Sequence, residues 1–63
     1  KAERVVGQLF DTYLKEPEQL PPTVITAANG RGLHRAICDY IAGMTDRFAL
    51  EEWQRLYDPF TLP

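Results

Sequence analysis

Sixty-three residues make at most one small domain, and a chain of that size buries only about 60% of the surface it exposes when unfolded. One cysteine, Cys38, rules out an internal disulfide, and the formal net charge of −2 argues against a nucleic-acid surface as the main function. No apolar run approaches the roughly 18 residues of a membrane span, and the lone cysteine fits a cytoplasmic origin better than a secreted, disulfide-stapled one.

The first predicted element runs over about 2–15. Val5, Val6, Leu9, Phe10, Tyr13 and Leu14 recur at the spacing of one helix face, while Glu3, Arg4, Gln8, Asp11, Thr12 and Lys15 fall between them as the wet side. Gly7 sits inside this pattern at a cost of about 1 kcal/mol relative to alanine, which leads us to expect a close neighbour there. Pro17 ends the helix by pushing the residue before it out of the α region.

Periodicity then disappears between 16 and 32. Pro21-Pro22 reads as stiff and extended, and Asn29-Gly30-Arg31-Gly32 as a turn, so this stretch is expected to be an irregular loop. Val24 and Ile25 sit within it without an evident intrachain partner.

Helical spacing returns with Leu33, Ile37, Tyr40, Ile41 and Met44 over about 33–44, joined by the small residues Ala36, Ala42 and Gly43. Thr45 and Asp46 offer an N-cap for a last helix over about 46–58. Its stripe is Ala49, Trp53, Leu56, Tyr57 and Phe60, with Glu51, Glu52, Gln54 and Arg55 outside and an expected Glu51–Arg55 ion pair. The chain therefore reads as all-α, with three short helices and no strand-type alternation. Three stripes plus Val24, Ile25 and Phe60 exceed what three short helices enclose, so self-association of the isolated chain is expected.

The chemistry is mostly a record of what is missing. A catalytic metal site takes at least three converging ligands, and the chain holds one histidine and one cysteine. His34 and Cys38 share a helix face at i, i+4, beside Asp39, but nothing else in the sequence supplies a strong third ligand. There is no serine, so a serine-based hydrolytic triad is excluded. The glycines around Arg31 lack phosphate-loop spacing and no strand precedes them.

Charged residues at the helix junctions remain as candidates for a substrate, effector or subunit contact. Arg31 and Arg35 flank the loop-to-helix junction, where free N–H groups favour anions; they read either as an anion clamp or as two solvated arginines. Asp46 and Arg47 stand at the next break, Asp46 as a cap and Arg47 as its partner or that of Glu51.

One segment carries more information than this pattern. Asp39-Tyr40-Ile41-Ala42-Gly43-Met44-Thr45-Asp46-Arg47-Phe48-Ala49, continued by Leu50-Glu51-Glu52-Trp53-Gln54-Arg55-Leu56, resembles the carboxyl-terminal helices of bacterial dGTPase-like deoxynucleoside triphosphate triphosphohydrolases, members of the HD-domain phosphohydrolases. The Val-Val-x-x-Leu-Phe-x-x-Tyr pattern of Val5 to Tyr13 and then Leu20-Pro21-Pro22 follow the same family order. Trp53 departs from it, since many members carry a smaller polar or imidazole side chain there.

The resemblance implies an all-α enzyme that hydrolyses a dNTP to the deoxynucleoside and triphosphate. A divalent metal, Mg or Mn, held by His…His-Asp…Asp ligands would assist attack of water on the α-phosphorus. None of those ligands matches a position here, so no catalytic residue and no cofactor of this segment itself is carried over. The implied role is packing against a catalytic core that lies elsewhere in a longer chain, with homo-oligomer subunits as further partners, dNTP reached only through the whole enzyme, and nucleic acid only as an effector. A start at Lys1-Ala2-Glu3-Arg4, without initiator Met or signal-peptide run, agrees with that expectation. The alternatives are a stand-alone helical protein-interaction module, or a small DNA-binding domain, which Glu51 and Glu52 on the last helix disfavour.

Overall fold

The computed structural model describes residues 3–57. They form helix α1 (Glu3–Lys15), a 3-10 turn (Pro17–Gln19), and helices α2 (Pro22–Arg31), α3 (Leu33–Ala42) and α4 (Asp46–Tyr57). The all-α class holds, and so do three of the elements, to within two residues at each described end. Residue 58, Pro59 and Phe60 lie outside the described residues.

The correction concerns 16–32, which is not a loop. Pro21, at φ −59° and ψ 149°, is the N-cap of α2, and Pro22 follows at the first helical position, where its missing N–H costs nothing. Thr26 donates its hydroxyl back to the Pro22 carbonyl at 3.0 Å. Sequence periodicity misses α2 because only Val24 and Ala28, one turn apart, are even half-buried along it. Asn29 and Gly30, read as turn residues, lie in its last turn.

Gly32 is the true break. Its φ of 92° with ψ 150° lies in a region open essentially to glycine alone. Its N–H closes α2 on the Ala28 carbonyl at 2.8 Å, and its own carbonyl accepts from Ala36 N–H at 3.1 Å to start α3. One residue thus turns the chain between two helices. At the next junction the Thr45 hydroxyl accepts from Phe48 N–H at 3.0 Å, the expected cap of α4.

Leu9 and Tyr13 of α1, Ile37 and Ile41 of α3, Met44 between α3 and α4, Ala49 of α4 and Leu20 after the 3-10 turn form the buried core. Val5, Val6, Phe10, Leu14, Val24, Leu33, Tyr40, Trp53 and Leu56 pack around it. Leu20 and Val24 come from the stretch expected to be irregular, so the fourth helix encloses part of the apolar surplus that three helices would leave. Ile25, Phe48, Leu50 and Tyr57 remain exposed.

Two further expectations fail on packing. A side chain built at Gly7 would meet nothing within 4 Å, so no neighbour among the described residues explains that glycine. Gln8 and Thr12 do not face water freely either. They turn toward α4, where Gln8 accepts from the Trp53 indole N–H and its carbonyl from the Tyr57 hydroxyl at 2.7 Å. Thr12 hydrogen-bonds the same Tyr57 hydroxyl.

Candidate functional site

Four features of the bundle bear on function, and each grows from the helix junctions or the α1 face.

The first is the arginine pair. Arg31 closes α2 and Arg35 lies in the first turn of α3; the sharp turn at Gly32 brings both to one carboxylate. Arg31 Nη1 donates to Asp39 Oδ2 at 3.1 Å, and Arg35 Nε to Asp39 Oδ1 and Oδ2 at 3.2 and 3.3 Å. The sequence offers Asp39 as a neighbour of Cys38 and as the first residue of the family-like segment; its role as the shared acceptor follows from α2 being a helix. Both arginines are well exposed, 66% and 72% for the side chains, so these pairs are worth at most about 1 kcal/mol each. Their outer N–H groups still face solvent.

The second is the α3–α4 break. Arg47 pairs with Glu51 at 3.3 Å, one of its two expected partners, and its side chain is 89% exposed. Asp46 opens α4, where a carboxylate complements the helix dipole, and is likewise engaged. The candidates Arg31, Arg35, Asp46 and Arg47 do not converge on one site. They are two surface clusters, at the α2–α3 and α3–α4 junctions.

The third is a polar network the sequence reading did not find. The expected Glu51–Arg55 pair gives way to Glu52–Arg55. Arg55 Nε donates to Glu52 Oε1 at 2.8 Å and Nη2 to Oε2 at 3.1 Å, while Nη1 reaches Gln19 Oε1 at 3.0 Å. The buried Tyr13 hydroxyl donates to Glu52 Oε2 at 2.6 Å. Only 12% of the Glu52 side chain is exposed, so it belongs to the inner face of α4 and not to the wet one. Hydrogen bonding from Arg55 and Tyr13 holds its carboxyl below the usual glutamate range against the opposing effect of burial. Burial first, and then Glu52, push the Tyr13 phenol well above its ordinary value, and burial also raises Tyr40, whose ring lies 5.7 Å away. Neither phenol ionises near neutral pH. The network ties α1, the 3-10 turn and α4 together and presents no open reactive group.

The fourth is a groove between α1 and α3. Val6, Phe10, Cys38, Ile41 and Ala42 line an open space of about 250 Å³. Cys38, expected beside the apolar face, is the exposed thiol on its wall. His34, one turn earlier, is set edge-on to Phe10 with ring centroids 5.6 Å apart.

No group of three His, Cys, Asp or Glu side chains able to hold a metal occurs among the described residues. The divalent metal implied by the resemblance therefore has no fitting donor set in this part of the chain, and no chemical step is derived through it. No helix among the described residues is long and apolar enough to cross a membrane.

Comparison with known proteins agrees with the resemblance. The profile of the phosphohydrolase-associated domain matches residues 1–55. The chain belongs to that family. Proteins described as deoxyguanosinetriphosphate triphosphohydrolase-like align with nearly all of this phosphohydrolase-associated domain. The one from Geobacter sulfurreducens is 52% identical over 60 residues, covering 95% of this chain and 16% of its own length. Those from Deinococcus deserti (49% over 59 residues, 94% and 16%) and Caulobacter vibrioides (47% over 60 residues, 90% and 15%) are similar to the same extent. The chain thus spans about one sixth of the curated relatives it matches. No solved structure gives a significant match.

Proposed function

We propose that this phosphohydrolase-associated domain is the carboxyl-terminal structural and interface segment of a cytoplasmic dNTP triphosphohydrolase, an enzyme that converts a dNTP and water to deoxynucleoside and triphosphate. The segment is catalytically silent on its own. The observation that carries the reading is the near-50% identity to dGTPase-like proteins along almost the whole chain. The chemistry of the segment supports it: the Arg31–Asp39 pair and the Tyr13–Glu52, Trp53–Gln8 and Tyr57–Gln8 hydrogen bonds join helix to helix, and the metal-binding HD core, with Mg or Mn, is assigned to the rest of the enzyme.

In this reading Arg31, Arg35, Asp46 and Arg47 are the contacts toward substrate, effector or a neighbouring subunit of a homo-oligomer. Arg31 and Arg35 are the better placed, since an incoming phosphate or carboxylate competes with Asp39 for N–H groups already gathered at one junction. The test compares the full-length polypeptide with the 63-residue chain, each given several dNTPs and Mg²⁺ or Mn²⁺. The expected result is deoxynucleoside and triphosphate in equal amounts from the former and none from the latter. Turnover by the short chain, or none by the long one, overturns the reading.

A further inference from the structure

The groove between α1 and α3 has a use that the packing within the segment leaves open. Its lining is apolar throughout, from Val6 and Phe10 on one wall to Cys38, Ile41 and Ala42 on the other, and its volume of about 250 Å³ admits a bulky apolar side chain. Gly7, next to Val6, has open space where a side chain would stand, so a backbone can approach α1 closely there. A glycine inside a helix costs stability, and nothing among the described residues offsets that cost.

We propose that this groove is the seat of an apolar side chain from the remainder of the same polypeptide, the segment's docking point on the catalytic core. The inference rests on the reading of the chain as part of a full-length triphosphohydrolase. Two observations select this occupant over a second copy of the segment. The relatives are about six times longer than their match to this chain, so a large body of tethered protein lies within reach. Five residues line the groove, whereas a stable interface between separate proteins takes roughly 20–30 residues a side. A tethered partner needs far less, because the covalent link holds it at an effective concentration in the millimolar range. A seat this small suits an intramolecular contact.

Cys38 makes the groove readable, because its thiol is exposed on the wall in the segment as described. Maleimide modification of the native full-length protein, resolved at Cys38 by peptide mass spectrometry, is compared with the same protein in urea, and triphosphate release is assayed on the same preparation. Covering of the groove slows Cys38 labelling by at least about tenfold, at every protein concentration. Labelling at the unfolded rate with triphosphate release intact overturns the groove while leaving the functional reading in place. Protection that appears only as concentration rises assigns the groove to a second copy and overturns the proposal. Absence of triphosphate release from the full-length protein removes the functional reading, and this inference with it.

Discussion

Replacing Tyr13 by phenylalanine removes one hydroxyl from the inside of the bundle and tests whether the Tyr13–Glu52–Arg55 network holds α1 to α4. The ring stays buried, so no large cavity opens and the apolar transfer term is nearly unchanged. What is lost is a 2.6 Å hydrogen bond to an ionised carboxylate, a class worth about 1.5–3 kcal/mol. Glu52 keeps both bonds from Arg55, so the carboxylate is not stranded and the lower half of that range applies, about 1.5–2 kcal/mol. For a domain of this size each kcal/mol shifts Tm by about 4–8 °C, which gives a fall of roughly 6–16 °C. The assay is thermal and urea unfolding of the 63-residue chain, its Tyr13→Phe and Glu52→Gln variants, and the double variant. A coupling energy of at least about 1 kcal/mol between the two sites is expected for residues in direct contact. Tyr13→Phe unfolding at the wild-type temperature, with additive effects in the cycle, would refute the network as a stabilising link.

Gly32→Ala forces a side chain into φ 92°, ψ 150°, and is expected to cost about 1–3 kcal/mol although the space around it is open; an unchanged urea midpoint would contradict the single-residue turn. Thr45→Ala removes the cap of α4 and is expected to cost about 1 kcal/mol, whereas Thr45→Ser retains most of it, as circular dichroism melts would report. Acid titration probes Glu52, whose folded pKa lies below its unfolded one. Its contribution is present above the ordinary glutamate range, near pH 4.3, and is lost as pH falls through the depressed value. Glu52→Gln is therefore expected to flatten the loss of stability below about pH 4; the same acid slope in both proteins would show that the carboxylate is not held in that form.

How much of this was legible in the sequence depended on whether a helix carried a stripe. α1, α3 and α4 each present apolar residues at helical spacing, and Leu9, Tyr13, Ile37, Ile41 and Ala49 are buried as that spacing requires. α2 is held by proline chemistry at its start and glycine at its end, and shows the core only Val24 and Ala28, so periodicity alone passes over it. Missing α2 also hid Asp39 as the acceptor of two arginines, since the pairing needs Arg31 fixed at a helix end beside α3. Glu52 was read as a solvated charge because residue type outweighed position. It lies one turn from Ala49 and Leu56 on the buried side of α4, and Tyr13, the polar tip in the α1 stripe, is the matching signal on the other helix. The family, by contrast, was carried by the Tyr40 to Ala49 block rather than by any chemical constellation. The four charged candidates fall at two helix junctions, Arg31 and Arg35 gathered on Asp39 at α2–α3 and Asp46 and Arg47 at α3–α4.

In the proposed function, this segment completes an enzyme whose chemistry lies elsewhere in the chain. Deleting the segment from the full-length protein and then supplying it as a separate 63-residue chain tests that claim most directly. The predicted result is loss of triphosphate release on deletion, with a lowered Tm of the remaining protein, and partial recovery of both when the segment is added back. A truncated protein that releases triphosphate at the full rate and melts at the full-length temperature would contradict it.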